Sequence, residues 1–392
     1  MMKINQQGSA LIIVIWAIAI IGVVVTFMYL RSEAELAMVN NMEQNARLRR
    51  EAEKILNQCL ELFLENENEF NDQSDEWFSS IATIQSEYNQ NNNSCQTVIR
   101  VEDEGSKPNI NTIREKSLQG LIDKDDSLDP LLDWRDADNE PRMDGAEYDY
   151  YQKLNPAYKP RNGFFSSLEE LKMVKGGDAL YQKLSPEVTV FGKINPNTIS
   201  RETFSDLLHS YGGFDRNWID RASEEFVVFR EKNRFTQIND FTANMSSVTI
   251  NIRDRLKPIF KFTGSCNPNM VSEAGLKVIL KEAGYPDDVA RDMTLYRNQQ
   301  PFESQAQINN YLLSKNKNIK NPEDYFTPLT TLIRYRIWVF KGNVRFYLET
   351  VQERILSGTQ RKWRAFPVYW RELLNQEAPE IPKETSESRE DE

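Results

Sequence analysis

The sequence predicts an α+β fold in which one long amino-terminal helix packs on a small antiparallel β-sheet that a large helical insert interrupts. Three observations lead to this fold class. An uncharged apolar run over 9–30 continues into an amphipathic pattern that lacks glycine and proline and reaches residue 70. Alternating apolar residues, typical of strands, occur at 96–101 and again after 330. The residues between these strands have mainly helical spacing.

The apolar run Ser9–Leu30 is long enough to cross a membrane. Its 22 residues include no charged side chain, and a helix of that length spans about 33 Å, compared with about 30 Å for a bilayer core. A cleaved secretory signal is a poorer interpretation, because Lys3 is the one charged side chain before the run. The run also exceeds the usual signal length of about 7–15 residues. We therefore expect one membrane-spanning helix in contact with lipid.

The helix continues beyond Arg31 with apolar residues three or four positions apart, which is the pattern of an amphipathic helix. We expect this half to lay one stripe on a folded domain. The stripe consists of Leu36, Val39, Met42, Ala46, Leu48, Ala52, Ile55, Leu56, Cys59, Leu60, Phe63 and Leu64. The polar stretch 71–92 is expected to be loop-like, with room for a short helix.

Strand patterns then predict the sheet. Residues 332–355 alternate on both sides of a Lys-Gly-Asn turn at 341–343, which indicates a β-hairpin. Residues 361–370 can add a further strand, in which Pro367 indicates an edge position. With the strand at 96–101, these form the small antiparallel sheet. The segment after Leu374 is rich in proline and glutamate and is expected to be disordered.

Two short motifs recur in the insert. An Asn-x-Asn motif precedes an apolar helical pattern at Asn109, Asn195 and Asn267. An aromatic residue followed by polar residues and a helical pattern recurs at Phe165, Phe235 and Phe302. Because asparagine just before a helix acts as an N-cap, we expect these asparagines to start helices. The insert is therefore expected to consist of helical hairpins, which resemble helix-hairpin-helix or SAM-like modules.

Composition limits the functions that these modules can have. The chain has 48 Lys and Arg against 59 Asp and Glu, a net charge of −11. Because nucleic-acid affinity depends on cations, DNA binding by the hairpins is a weaker interpretation than a packing scaffold. One histidine and three cysteines exclude a multi-histidine or four-cysteine metal site. No catalytic motif is present, so we expect no enzyme; a membrane-anchored hydrolase that uses carboxylates in 123–149 is the alternative.

An acidic loop in the insert has the residue types of a calcium site. Counted from Asp136, its acidic residues fall at positions 1, 3, 5, 9 and 12 of an EF-hand loop, but position 6 is Pro141 instead of glycine. We therefore expect oxygen ligands for Ca²⁺ without the EF-hand fold, and a solvated acidic loop is the alternative. The candidate ligands are Asp133, Asp136, Asp138, Glu140, Asp144 and Glu147.

The amino terminus resembles that of type IV pilins and pseudopilins, in which a short leader ends in glycine before the apolar helix. The resemblance implies cleavage by prepilin peptidase between Gly8 and Ser9, followed by methylation of the new amine on Ser9. Most members carry glutamate at the fifth mature position, where this chain has Ile13. Within type II secretion systems, the large minor pseudopilin K is the subunit that lacks this glutamate.

A second resemblance is longer and covers Leu131–Gly176. The stretch is similar to the hallmark segment of the type II secretion minor pseudopilin K family, also called general secretion pathway protein K. The matching residues are Asp133-Trp134-x-Asp136-x-Asp138, Gly145-Ala146-Glu147, Tyr151, Pro156-x-Tyr158, Asn162, and Glu170-Leu171 through Gly176.

The family resemblance implies a type IV pilin-like fold, bound calcium and no nucleic-acid partner. It also implies a place at the tip of a pseudopilus with the minor pseudopilins I and J, where the subunit helps to initiate and cap the filament for protein secretion across the outer membrane. The chain would sit in the inner membrane by a single pass, its amino terminus cytoplasmic and its carboxy-terminal domain periplasmic. A minor type IV pilin or DNA-uptake protein is the alternative.

These interpretations divide the chain into six segments. They are the leader 1–8, the membrane part of the helix 9–30, the stalk helix and first strand 31–106, the helical insert 107–325, the sheet 326–374 and the acidic tail 375–392. In an oxidising compartment Cys59 and Cys95 could form a disulfide, although sequence alone does not supply the distance between them.

Overall fold

The fold class predicted from the sequence is confirmed. The computed structural model describes residues 6–91, 95–123, 126–319, 321–357 and 362–376. The amino-terminal helices are α1 (Gln6–Glu65), α2 (Glu76–Ser79) and α3 (Ile81–Asn91). The four strands are β1 (Gln96–Asp103), β2 (Leu332–Lys341), β3 (Val344–Ser357) and β4 (Lys362–Leu374). Residues 377–392 of the predicted disordered tail lie outside the described residues.

Helix α1 is continuous for 60 residues and is long and apolar enough at its amino-terminal end to cross a membrane. From Leu48 onward its apolar stripe packs on β2 and β3 and is buried, except that Leu60 and Leu64 are half-buried. Leu36, Val39, Met42 and Ala46 were expected in the same stripe, but they are exposed, the first three by about 60%. The reason is geometric, because this part of α1 extends beyond the sheet.

The sheet is antiparallel throughout and has the order β1-β2-β3-β4. The predicted hairpin is present, and its register ends at the pair Lys341–Val344. Strand β4 lies at the edge, as Pro367 indicated, and the register shifts beside this proline between Val351 and Gln352. The insert therefore leaves the sheet after β1 and returns at β2, its neighbour in space.

The stretch expected to be loop-like contains α2 and α3. Helix α3 packs along the outer edge of β1. The Asn89 side chain accepts a hydrogen bond from Thr97 N (2.7 Å) and donates one to Thr97 O (3.2 Å). Gln85 Oε1 accepts another from Ile99 N (2.8 Å). Side-chain amides thus satisfy the edge groups that a further strand would otherwise pair with.

Helix α1 ends at Glu65, five residues before the limit predicted from its pattern. The buried guanidinium of Arg354 on β3 lies at this end, with 2% of the residue exposed, between the rings of Phe63 (4.3 Å) and Trp363 (4.6 Å). It donates hydrogen bonds to the backbone oxygens of Phe63 (3.1 Å), Asn66 (3.4 Å) and Thr330 (2.9 Å) and to Oδ1 of Asn71 (2.7 Å). A cation here satisfies carbonyls that the helix leaves unpaired.

The insert consists of three helical modules, which we define as 109–191, 194–261 and 266–327. Each module is closed by a parallel bridge from its first residue to a residue one or two positions before its last, and each has its own apolar cluster. The first module contains α4 (Glu115–Leu118), α5 (Asp129–Arg135), α6 (Tyr148–Tyr151), α7 (Gly177–Leu184) and 3-10 helices at Gln119–Leu121 and Leu168–Met173. The second contains α8 (Arg201–Tyr211), α9 (Arg216–Lys232), α10 (Asn239–Asn244) and α11 (Ile250–Leu256). The third contains α12 (Glu273–Glu282), α13 (Asp288–Gln299), α14 (Gln305–Lys315) and a 3-10 helix at Pro322–Asp324.

The prediction that the Asn-x-Asn motifs cap helices is wrong. In each motif the first asparagine accepts a hydrogen bond from the backbone N–H two residues later, which forms a turn. The caps of α8 and α12 are Ser200 and Ser272, three residues beyond the motif. The second asparagine instead binds both backbone groups of the recurring phenylalanine. The pairs are Asn111–Phe165, Asn197–Phe235 and Asn269–Phe302, with distances between 2.7 and 3.0 Å.

One arginine in each module binds the same turn from the other side. Each donates from Nη1 to two backbone oxygens of the Asn-x-Asn turn or of the residues just after it. These arginines are Arg135, Arg230 and Arg297. The sequence reasoning missed them, because they lie 24, 33 and 28 residues after the second asparagine, so no fixed spacing reveals them.

Two adjacent carboxyls at the end of β1 join the insert to the sheet. Glu104 accepts hydrogen bonds from Arg334 on β2 (2.5 and 2.8 Å) and from Thr189 of the first module (2.5 Å). Burial opposes ionisation of Glu104, but Arg334 and Lys107 outweigh it and lower its pKa to about 2. For Asp103 burial is the larger effect and raises its pKa to about 6, against hydrogen bonds from Ser106 and Thr330.

These two carboxyls are expected to give opposite pH dependences of stability. Because the pKa of Glu104 is lower in the folded chain, its contribution is present above pH 4.5 and is lost as the pH falls towards 2, an effect of about 3 kcal/mol. Because the pKa of Asp103 is raised, the folded chain loses stability as the pH rises from 3.8 to about 6.

Urea unfolding of the full chain in detergent at pH 2 to 7 measures this difference. We expect Glu104→Gln to flatten the fall in unfolding free energy below pH 4.5. Asp103→Asn, the matched control, should instead remove the loss between pH 4 and 6. Identical pH profiles for the two variants would contradict the assignment.

Candidate functional site

The acidic loop 136–147 joins α5 to α6, and Asp133 on α5 folds it back on itself. The Asp133 carboxylate is fully buried and accepts hydrogen bonds from Ala146 N (2.9 Å), Arg142 N and Arg142 Nη1 (2.8 Å). Gly145 is required beside it, because a Cβ atom there would lie 1.8 Å from Asp133 Oδ2. Asp133 thus holds the two ends of the loop together.

Three carboxylates of the loop converge. Oxygen atoms of Asp136, Asp138 and Glu147 all lie within 4.8 Å of one another. Glu147 is 5% exposed, and both of its carboxylate oxygens are buried without a hydrogen-bond partner among the described residues. Oδ1 of Asp136 is also buried and unpartnered in the described part of the chain. Buried acceptors without donors are costly, so this arrangement fits a bound cation.

The electrostatics of the cluster favour the same ligand. Burial, followed by the charges of Asp133, Asp136 and Asp138, raises the pKa of Glu147 to about 8. Burial also raises the pKa of Asp136, although Arg142 opposes the change. Like charges at this separation resist simultaneous ionisation unless a cation neutralises them. The residues present therefore fit a hard divalent ion such as Ca²⁺.

Three of the six predicted ligands are not part of this cluster. Asp133 is occupied by Arg142 and Ala146, as described above. Glu140 and Asp144 are exposed, and Asp144 meets Asp129 through its backbone N–H (3.0 Å). The EF-hand spacing therefore does not describe the loop. Its fold depends on the hydrogen bonds of Asp133, which no EF-hand count includes.

The sequence reasoning gave no role to Asn162, which reaches the cluster from outside the loop. Asn162 has a left-handed backbone with φ of 46°. Its Nδ2 donates to Asp138 O (2.5 Å) and Asn139 Oδ1 (3.0 Å), and its Oδ1 is buried without a partner in the described chain. Asn162 thus contacts the loop at Asp138 and Asn139 and carries a buried neutral oxygen that lacks a donor among the described residues. The sequence did mark Asn162 as one of the matching residues in the family resemblance over Leu131–Gly176. No spacing, however, linked it to the acidic loop.

The other predicted site residues lie in the stalk. Gly8 and Ser9 are in the first turns of α1, where side chains are outside the described set, and Ile13 is exposed on the membrane part. Cys59 and Cys95 are buried in the same apolar cluster, but no disulfide joins them in the structure. The pairing stays a prediction.

Known proteins similar to this chain share one description. The sequence model of the family described as type II secretion system (T2SS), protein K, matches residues 115–193. Type II secretion system protein K of Pseudomonas aeruginosa is 32% identical over 142 residues, which make up 34% of this chain and 40% of that protein. The protein of the same name from Dickeya chrysanthemi is 42% identical over 76 residues, 18% of this chain and 20% of that protein.

The chain thus aligns with less than half the length of these relatives. Among solved structures, a chain of the GspK-GspI-GspJ complex from the enterotoxigenic Escherichia coli type 2 secretion system is 14% identical, with a TM-score of 0.46. That likeness covers 87% of this chain and 99% of the other. The resemblance to the protein K family is confirmed, and the matched residues 115–193 include the whole acidic loop.

The contact of Gly145 with Asp133 predicts the effect of one methyl group. Gly145→Ala should push the buried Asp133 carboxylate away from its donors and lower the unfolding free energy by about 2 kcal/mol. Gly120→Ala is the control, because nothing lies within 4 Å of its Cβ position. Urea unfolding of both variants measures the difference. Equal stabilities would show that Asp133 does not hold the loop.

Proposed function

We propose that this chain, which resembles type II secretion system protein K, is a minor pseudopilin that helps to initiate and cap a pseudopilus. The observation that carries the proposal is the match of residues 115–193 to the protein K family. The alternative, a DNA-uptake protein, is not favoured, because the similar proteins are named for secretion. In this proposal the chain serves protein transport across the outer membrane.

The architecture supports a place at the tip. Helix α1 is a single rod, whereas the three modules form a head of more than 200 residues on one end of it. Repetition of so large a head along a filament would cause steric clashes. Ile13 supports the same position, because a tip subunit has no subunit above it whose terminal amine would need a glutamate partner.

The proposal also gives the chain its place in the cell. Prepilin peptidase would cut between Gly8 and Ser9 and methylate Ser9. The apolar part of α1 would cross the inner membrane with its amino terminus in the cytoplasm and leave the head in the periplasm. A single membrane pass agrees with the composition of α1, whose uncharged run begins at Ser9 and ends at Leu30.

The partners in this proposal are minor pseudopilins of the I and J types. The exposed residues Leu36, Val39 and Met42 offer an apolar strip of α1 between the membrane and the head. An exposed strip with helical spacing suits the apolar face of another long helix. We therefore assign this strip to contacts with the stalk helices of the partners.

The acidic loop would bind one Ca²⁺ ion in this proposal. Asp136, Asp138 and Glu147 would supply carboxylate oxygens and Asn162 an amide oxygen. The ion would neutralise the carboxylates and fix the loop on the surface of the head. The support is the set of buried oxygens that lack donors among the described residues.

Titration of the full chain with Ca²⁺ tests the metal site. For the wild type we expect a measurable heat of Ca²⁺ binding and a rise in unfolding temperature, and in Glu147→Gln we expect both effects to be lost. Glu140→Gln is the matched control and should bind normally, because Glu140 is exposed and outside the cluster. Loss of binding in Glu140→Gln as well as in Glu147→Gln would support the EF-hand spacing instead, because that spacing uses both residues as ligands.

Co-purification tests the proposed assembly. Full chain extracted in detergent from cells that also express the I- and J-type proteins should elute with both partners. The double variant Val39→Glu and Met42→Glu should reduce recovery of the partners at least tenfold, while Val228→Glu should not. Val228 is a suitable control, because it is 59% exposed on α9 of the head. Folded chain that elutes alone would refute the tip-complex proposal.

A further inference from the structure

A cleft of about 650 Å³ lies between the sheet and the first module, on the face of the sheet opposite α1. Its floor is formed by side chains of β1 to β4, and its wall by the segment around the 3-10 helix Leu168–Met173 and α7. None of the residues that line the cleft belongs to the acidic loop, and the proposed function uses none of them.

The cleft contains hydrogen-bond donors that lack acceptors. Trp338 is 7% exposed, and its indole Nε1 is buried with no hydrogen-bond partner among the described residues. Arg100 on β1 is exposed at the rim and has no ion pair in the described part of the chain. A buried indole N–H without an acceptor is costly, so a ligand with a carbonyl or carboxylate oxygen fits here.

Two pairs of aromatic rings line the same cleft. The ring centroids of Trp338 and Tyr347 are 4.8 Å apart, and those of Phe191 and Tyr369 are 5.2 Å apart. Grooves between aromatic rings with a free indole N–H are typical of sites that bind proline-rich segments in polyproline II conformation. Proline rings pack on the aromatic faces, while the segment's carbonyls accept from the indole.

The charges of the cleft favour an acidic segment. Its carboxylates are already paired with arginine: Glu349 with Arg334 and Arg336, Glu102 with Arg336, and Glu169 with Arg371. Arg100 is the cation left over among the described lining residues. A segment with carboxylates beside its prolines would neutralise this charge.

The chain itself carries such a segment at the cleft. Gln376, the last described residue, lines the cleft, and the following residues are Glu377-Ala378-Pro379-Glu380-Ile381-Pro382. Pro379 and Pro382 have the P-x-x-P spacing, and the acidic segment 377–392 has 7 acidic and 2 basic residues. Three residues of polyproline II advance about 9 Å, so Pro379 can reach the aromatic rings from Gln376.

We propose that the aromatic cleft is a binding site for an acidic P-x-x-P segment and that residues 377–392 of the same chain are its occupant. Glu377 and Glu380 meet Arg100 and its neighbours, and Pro379 and Pro382 pack on the aromatic pairs. Trp338 donates its indole N–H to a backbone oxygen of the segment. The segment thereby covers the outer face of the sheet.

Binding of a separate peptide tests the proposal. A labelled peptide of residues 377–392 is titrated, by fluorescence anisotropy, into a chain that ends at Gln376 and into the full chain, both in detergent. We expect binding to the shortened chain and about tenfold weaker binding to the full chain, where the tethered segment competes at about millimolar effective concentration.

Variants separate the aromatic and the ionic contributions. A peptide with Pro379→Ala and Pro382→Ala should bind about tenfold more weakly, and Trp338→Phe in the shortened chain should weaken binding about fivefold. Arg100→Ala, which alters only an exposed side chain, should weaken binding and reduce its salt dependence. No binding to the shortened chain, equal affinity for both chains, or an unaffected proline variant would each overturn the proposal.

Discussion

The buried guanidinium of Arg354 is the contact on which the rest of the structure depends. It meets the last carbonyls of α1, the backbone just before β2 and the side chain of Asn71, so helix, sheet and connecting loop converge on one cation. Asp75 and Asp103 lie near enough to offset its charge, and burial still lowers the pKa of Arg354 to about 10. A rod of 60 residues can carry a large head only if its end is fixed, and this arginine fixes it.

The head is fastened to the same place by a repeated device. Each module begins with a turn held by asparagine and closes by a bridge beside that turn. In the third module the device reaches the stalk, because Asn267 and Asn269 donate to the backbone oxygen of Asn71 (2.9 and 3.1 Å). Asn71 in turn accepts from Arg354. A continuous network of buried hydrogen bonds thus connects the end of α1 to the third module and holds the two rigidly together.

The sequence predicted what depends on local pattern. The hairpin at 341–343, the long helix and the separation of β1 from β2 follow from periodicity and turn residues. In the candidate site, composition identified the loop but not the partners of each carboxylate. Pairs such as Asn111 with Phe165 depend on contacts between residues 54 positions apart, which no single-sequence pattern encodes. The contact of Asn162 with Asp138, 24 residues away, was not predicted for the same reason.

The two edges of the sheet are chemically unlike. The amides of Gln85 and Asn89 occupy the backbone groups at the β1 edge, whereas none of the described elements pairs with the outer side of β4. Two copies of this chain therefore cannot pair β1 of one copy with β4 of the other into a continuous sheet, because side-chain amides already bind backbone groups at the β1 edge. The saturated β1 edge is therefore a built-in bar to open-ended polymerisation of the heads through their strands.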